Sequence, residues 1–191
     1  AYLKINKIKK YRIFILLARI LTKRTKNKIS KSQTLTYFDI SYPPVISGAR
    51  YTCRLLEKDI KYSFEVGNID AAGVGAHYLA KYLLWTSSPL NKTMTKIKQY
   101  HQKFIDLRIP LYANLTAMYF QKIKLFQNNY DEHIAIGDFL SESSQLDKND
   151  KQFYYLFKAY WFPEVIECCF FFKKYNQAYD LLKHYTPRST L

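Results

Sequence analysis

Between Gly67 and Trp85 the side chains pass from small to large along one segment. Ala71, Ala72, Gly75 and Ala76 come first, and Tyr78, Leu79, Tyr82, Leu83 and Trp85 follow. Small residues early in a helix let a second helix approach closely, and large ones later fill the wider space beyond. The Gly67-Asn68 pair ahead of the run is a turn signal. Such a segment suits the inside of a helical hairpin, a unit that stacks in tandem. It contains no nucleophile–base pair and no phosphate loop, so it specifies packing and not a reaction.

The rest of the chain carries the same helical period. Residues 8–25 form a helix that is apolar on most sides through Ile13–Leu17, Ile20 and Leu21. The polar Lys26-Asn27-Lys28 makes a turn, and a second helix runs from Ser30 to Ser41, where Pro43-Pro44 stops it. A long helix is expected over Ile46–Val66, with Leu55, Leu56, Ile60 and Phe64 inward and Gly67 just past its end. Asn68 or Asp70 caps the small-residue helix. Further helices follow over Leu90–Leu107 and Pro110–Gln127, the latter with Tyr112, Leu115, Met118, Tyr119, Ile123 and Phe126 inward. Asn128–Asp138 is polar, and a short helix falls within 140–149. Two apolar helices, 151–162 and 164–173, are separated by Pro163, and the last helix is Asn176–Tyr185. No segment alternates with period two. The expected fold is all-α, a single domain over 1–191 made of antiparallel helical hairpins stacked as an α-solenoid. The chain opens on Ala1 and reads as a piece of a longer polypeptide.

Charge is unevenly placed. Residues 1–38 hold eleven Lys or Arg and no acid, while the remainder holds 19 basic and 15 acidic residues, so +11 of the net +15 lies in the opening segment. Such a segment suits a nucleic-acid or anionic surface, or it is the solvated flank of a buried helix. The second reading is preferred, because Lys4, Lys7, Lys9, Lys10 and Arg12 interleave with apolar positions. The three cysteines, Cys53, Cys168 and Cys169, give no disulfide framework, which fits a cytoplasmic protein, and the adjacent Cys168 and Cys169 read as small core residues. The apolar run Ile13–Ala18 is too short for a transmembrane span.

Two turn-and-helix units share a pattern. Phe64–Ala72 and Phe170–Ala178 each lead an apolar helix end through a polar turn to an early Ala, as in a tetratricopeptide-like hairpin. The wider order also resembles a known region. Leu17-Ala-Arg-Ile-Leu21, Lys28-Ile-Ser-Lys31 and Thr34–Phe38 are similar to the helix pair that opens the tetratricopeptide-like region of large signalling ATPases. Glu65–Gly73, Trp85–Leu90, Ile136–Leu140 and Phe171–Ala178 resemble its later landmarks. The similarity covers about residues 15–187. Proteins of that kind join a protein-kinase-like domain, an AAA or STAND-type ATPase, this helical region, a GAF domain and often a histidine kinase. The resemblance implies a scaffold segment in signal transduction and transfers no catalytic residue.

Candidate chemistry is sparse. Gly73-Val-Gly75 lacks the Gly-Lys-Ser/Thr of a phosphate loop and reads as close helix packing. Asp131-Glu132-His133 are sequence neighbours, which rarely converge on one metal. His77 and His101 lie on successive helices where they could face a common groove, although packing roles are preferred for both. Cys53 has no His partner nearby in sequence, and Asn91-Lys-Thr93 and Asn114-Leu-Thr116 are chance matches to a glycosylation pattern. The expectation is therefore no catalytic residue, no cofactor, no metal and no enzyme activity in this segment. The partner is a protein or a neighbouring domain of the same polypeptide. A basic helical protein bound to RNA or to a ribonucleoprotein surface is the alternative.

Overall fold

The computed structural model describes residues 17–22, 24–41, 43, 48–86, 88–127 and 151–185. All secondary structure among them is helical, with no strand among the described residues. The expected helix over 8–25 is described only at 17–22, 24 and 25, and is helical at all of these but Thr25. The short helix expected within 140–149 lies outside the described residues. The chain divides into two compact units, within Ala1–Pro89 and Leu90–Leu191.

The first unit is built on α1 (Lys28–Ser41), α2 (Ala49–Glu65) and α3 (Ile69–Trp85). The expected turn at Asn27 is a cap: its side-chain oxygen accepts from the Ser30 N–H at 3.1 Å. Helix α2 starts three residues later than expected, because Gly48 sits at φ 78°, outside helical space. Gly67 at φ 75° ends the α2 turn, and Asn68 caps α3 by accepting from the Ala71 N–H at 3.2 Å. The Asn68 amide also donates to Ile29 O at 3.1 Å and Ser32 Oγ at 2.8 Å. At the other end the Tyr82 hydroxyl donates to Ile40 O at 2.7 Å. These two ties set α1 and α3 running the same way, with α2 packed against both.

Leu56 and Ile60 of α2 and Ala72, Ala76 and Leu79 of α3 are buried. Full burial of a Leu or Ile side chain stabilises by about 1.5–3 kcal/mol. The small residues act as the sequence predicts. A Cβ added at Gly75 would stand 2.9 Å from Ile60 Cγ1 and 3.4 Å from Thr36 Cγ2. Glycine at that position is what lets three helices meet.

The second unit holds α4 (Leu90–Asp106), α5 (Pro110–Gln127), α6 (Lys151–Phe171) and α7 (Tyr175–Tyr185). Pro110 occupies the first helical position of α5, where its missing N–H costs nothing. Pro163 does not separate two helices: it lies inside the single helix α6. Its ring removes the bond that would reach the Ala159 carbonyl. Both residues are exposed, so water can take that carbonyl.

Three chain reversals share one geometry. Each has a residue in left-handed conformation, Gly67 (φ 75°), Arg108 (φ 56°) and Lys173 (φ 58°). In each the next N–H reaches back five residues: Asn68 to Ser63 O at 2.8 Å, Ile109 to Phe104 O at 2.9 Å and Lys174 to Cys169 O at 2.8 Å. In each the fifth residue onward is a buried alanine, Ala72, Ala113 or Ala178. The sequence pattern exposes the first and third of these turns. The middle one is hidden, although Arg108 departs from glycine no more than Lys173 does in the third.

Candidate functional site

The residues singled out by sequence are held by packing. His77 is buried in α3, with its ring edge-on to Tyr78 at 5.0 Å. His101 Nδ1 lies 2.9 Å from the Ala113 carbonyl, which can only accept, so Nδ1 carries the proton and pins α4 to α5. The two histidines belong to different units and each is engaged within its own. Cys53, Cys168 and Cys169 are buried and not in disulfides, and for Cys168 and Cys169 this is the expected core placement. Asn91 is exposed on the first turn of α4 and accepts from Gln127 Nε2 at 2.9 Å. Asp131, Glu132 and His133 lie outside the described residues. Among the described residues no three His, Cys, Asp or Glu side chains are placed to hold a metal ion. No helix among them is long and apolar enough to cross a membrane.

Two buried charged clusters went unnoticed in the sequence. In the first unit Asp39 of α1 meets Asp59 of α2, both buried, with Arg19 Nη2 at 3.9 Å from Asp39 Oδ2. Burial, the hydrogen bond to Asp39 and the Asp39 charge push the Asp59 carboxyl up to about 8. Burial also raises Asp39, opposed by the hydrogen bond from Asp59 and the Arg19 charge. Burial and the neighbouring Asp39 favour the protonated form of Asp59 at neutral pH. The helical register could have revealed this: Asp39 follows buried Thr36 by three residues, and Asp59 follows Leu56 by three.

In the second unit Lys122 of α5 reaches into α6. Its Nζ donates to Glu164 Oε2 and to Glu167 Oε2, both at 2.6 Å. Lys122 and Glu164 are almost fully buried, and Glu167 is partly so. Burial alone would lower the Lys122 pKa, but the Glu164 charge and the two hydrogen bonds outweigh it and the net shift is upward. The ammonium stays protonated, which is a tether and not a nucleophile. Beside it, burial pushes the Cys168 thiol up to about 12, so this sulfur stays a thiol at neutral pH. Lys122 falls on the inner face set by Met118, Tyr119 and Ile123, so here too periodicity held the clue.

The remaining feature is open to solvent. Along α6, Pro163, Ile166 and Phe170 share one face, and along α7, Tyr175, Tyr179 and Leu182 share another. Most of these line or continue a groove of about 620 Å³. Phe170 is 65% exposed, Phe171 61% and Tyr179 60%. Phe170 and Tyr175 pack edge to face at 5.3 Å. Lys173 stands at the turn end, where a smaller recess lined by Lys173, Lys174, Tyr175, Asn176 and Gln177 shares residues with the groove. Lys183 Nζ lies 4.3 Å above the Tyr179 ring. The groove is apolar along its walls and basic along its rim.

No protein-family model matches this sequence, and comparison with curated proteins and with solved structures gives no match either.

Proposed function

We propose that this chain is a non-catalytic helical scaffold for protein–protein or interdomain contacts. The observation that carries the reading is the threefold recurrence of one reversal, with a left-handed residue, a five-residue return bond and a buried alanine. Recurring hairpins of this kind stack into α-solenoids, whose repeated faces bind peptides or neighbouring domains. The buried ionisable groups support it as well: Lys122, Glu164 and Glu167 are consumed in joining helices, as are Asp39 and Asp59. The wider setting proposed for the segment is a cytoplasmic signalling ATPase or kinase, and this rests on the sequence resemblance.

The experiment that tests the reading titrates the full chain with single- and double-stranded oligonucleotides at several salt concentrations. The scaffold reading expects weak binding with no preference among sequences. Phosphate contacts would appear as log K falling by about 0.7–0.9 per contact with log salt. Tight binding near physiological salt, lost when Lys4, Lys7, Lys9, Lys10 and Arg12 are neutralised, would replace the scaffold with the ribonucleoprotein reading.

A further inference from the structure

We propose that the groove between α6 and α7 is a docking site for an acidic amphipathic helix of a partner protein. This rests on the scaffold reading and adds to it a place and a partner chemistry. The walls supply two apolar stripes that meet at the turn, Ile166 with Phe170 on one helix and Tyr175 with Leu182 on the other. A third helix laid along such a seam presents apolar residues at i, i+3, i+4 and i+7. Exposed aromatic rings are the side chains that carry most binding energy at such contacts.

The sign of the rim decides the occupant. Lys173 lines the groove and is exposed, and exposed Lys174 lines the adjoining recess. Glu167 lines the groove, but its carboxylate is bound to Lys122 at 2.6 Å. Asp180 on α7 is the acidic residue nearest in sequence to the exposed stripe. The rim is therefore net basic and complements acidic flanks on a partner. A second copy of this chain is the poorer fit, since it would bring the same lysines and a net charge of +15 against them.

The test uses the full chain and two synthetic helical peptides of about 18 residues with leucines at the i, i+3, i+4 and i+7 spacing. One carries Glu on its polar face and the other Lys at the same positions. Titration calorimetry should show the Glu peptide binding at least about tenfold more tightly than the Lys peptide, because like charges on the rim oppose the latter. The Phe170→Ser/Leu182→Ser double variant should lose most of that affinity, and Lys173→Glu should reduce the preference for the Glu peptide. All three side chains are exposed, so the melting curves followed by circular dichroism should be unchanged. Equal affinity for both peptides, or undiminished binding by the double variant, would overturn the proposal. So would a wild-type dimer in sedimentation that the double variant abolishes, which would give the groove to a second copy. These failures leave the oligonucleotide result untouched, so the scaffold reading is judged separately.

Discussion

Replacing Asp59 by Asn should convert a pH-dependent protein into a less dependent one. In the folded chain Asp59 holds its proton up to about pH 8, whereas in the unfolded chain an Asp releases it near pH 3.9. Between those values the native state binds one more proton at this site than the unfolded state does. The Asp59 contribution to stability is therefore fully present below the unfolded value and is lost as pH rises through the folded one. The ceiling on its slope is about 1.4 kcal/mol per pH unit, so from about pH 5 to pH 7.5 the loss approaches about 3 kcal/mol. Asn keeps the shape and can still donate to Asp39 but has no proton to lose. Urea unfolding of both proteins across that range isolates the term, because every other titrating group is common to them. The expected result is similar stability at the acid end and a growing advantage for Asp59→Asn as pH rises. Parallel curves would refute a protonated Asp59 in the folded chain at neutral pH.

Three further outcomes follow from the packing. Ala76→Leu should cost about 1–3 kcal/mol by overpacking the buried α3 face, and Gly75→Ala should give a smaller loss, its clash with Ile60 partly offset by about 1 kcal/mol of helix propensity. An unchanged melting temperature for Ala76→Leu would contradict the close crossing. Lys122→Ala should cost about 3–5 kcal/mol by stranding buried Glu164, and adding Glu164→Leu should restore much of it, as urea titration of single and double variants would show. Cys168, buried with its thiol raised to about 12, should react with iodoacetamide at neutral pH far more slowly in the native chain than in urea, which mass spectrometry of the labelled peptide reads directly.

The fold was legible wherever one signal acted alone. Gly67 supplied the left-handed residue of its turn, Asn68 the cap, and the run from Ala71 to Ala76 the close crossing, so the α2–α3 turn and the packed face of α3 were readable. Competing signals hid the rest. Arg108 and Lys173 take the same left-handed backbone as Gly67 without being glycine, and the cost of about 1–2 kcal/mol for that conformation is outweighed by the packing on either side. Pro163 reads as a break, yet on an exposed face it interrupts only one bond of a long helix. Lysine at 122 and aspartate at 39 and 59 read as solvated by type; only their place in the apolar register shows that they are inside. The groove was the least visible feature. Phe170 and Phe171 look like core residues in sequence, and only the geometry of α6 and α7 leaves them in solvent.

The scaffold assignment is tested most directly by placing a photo-crosslinking benzoylphenylalanine at position 175, an exposed site lining the groove, in the full-length protein within its own cell. After irradiation the adducts are digested separately with protease and with nuclease, and their sequences are determined. The account predicts a discrete protein adduct whose cross-linked peptide is helical, apolar on one face and acidic on the other. A nuclease-sensitive adduct, or cross-links confined to solvent with the same result at other exposed positions, would contradict it.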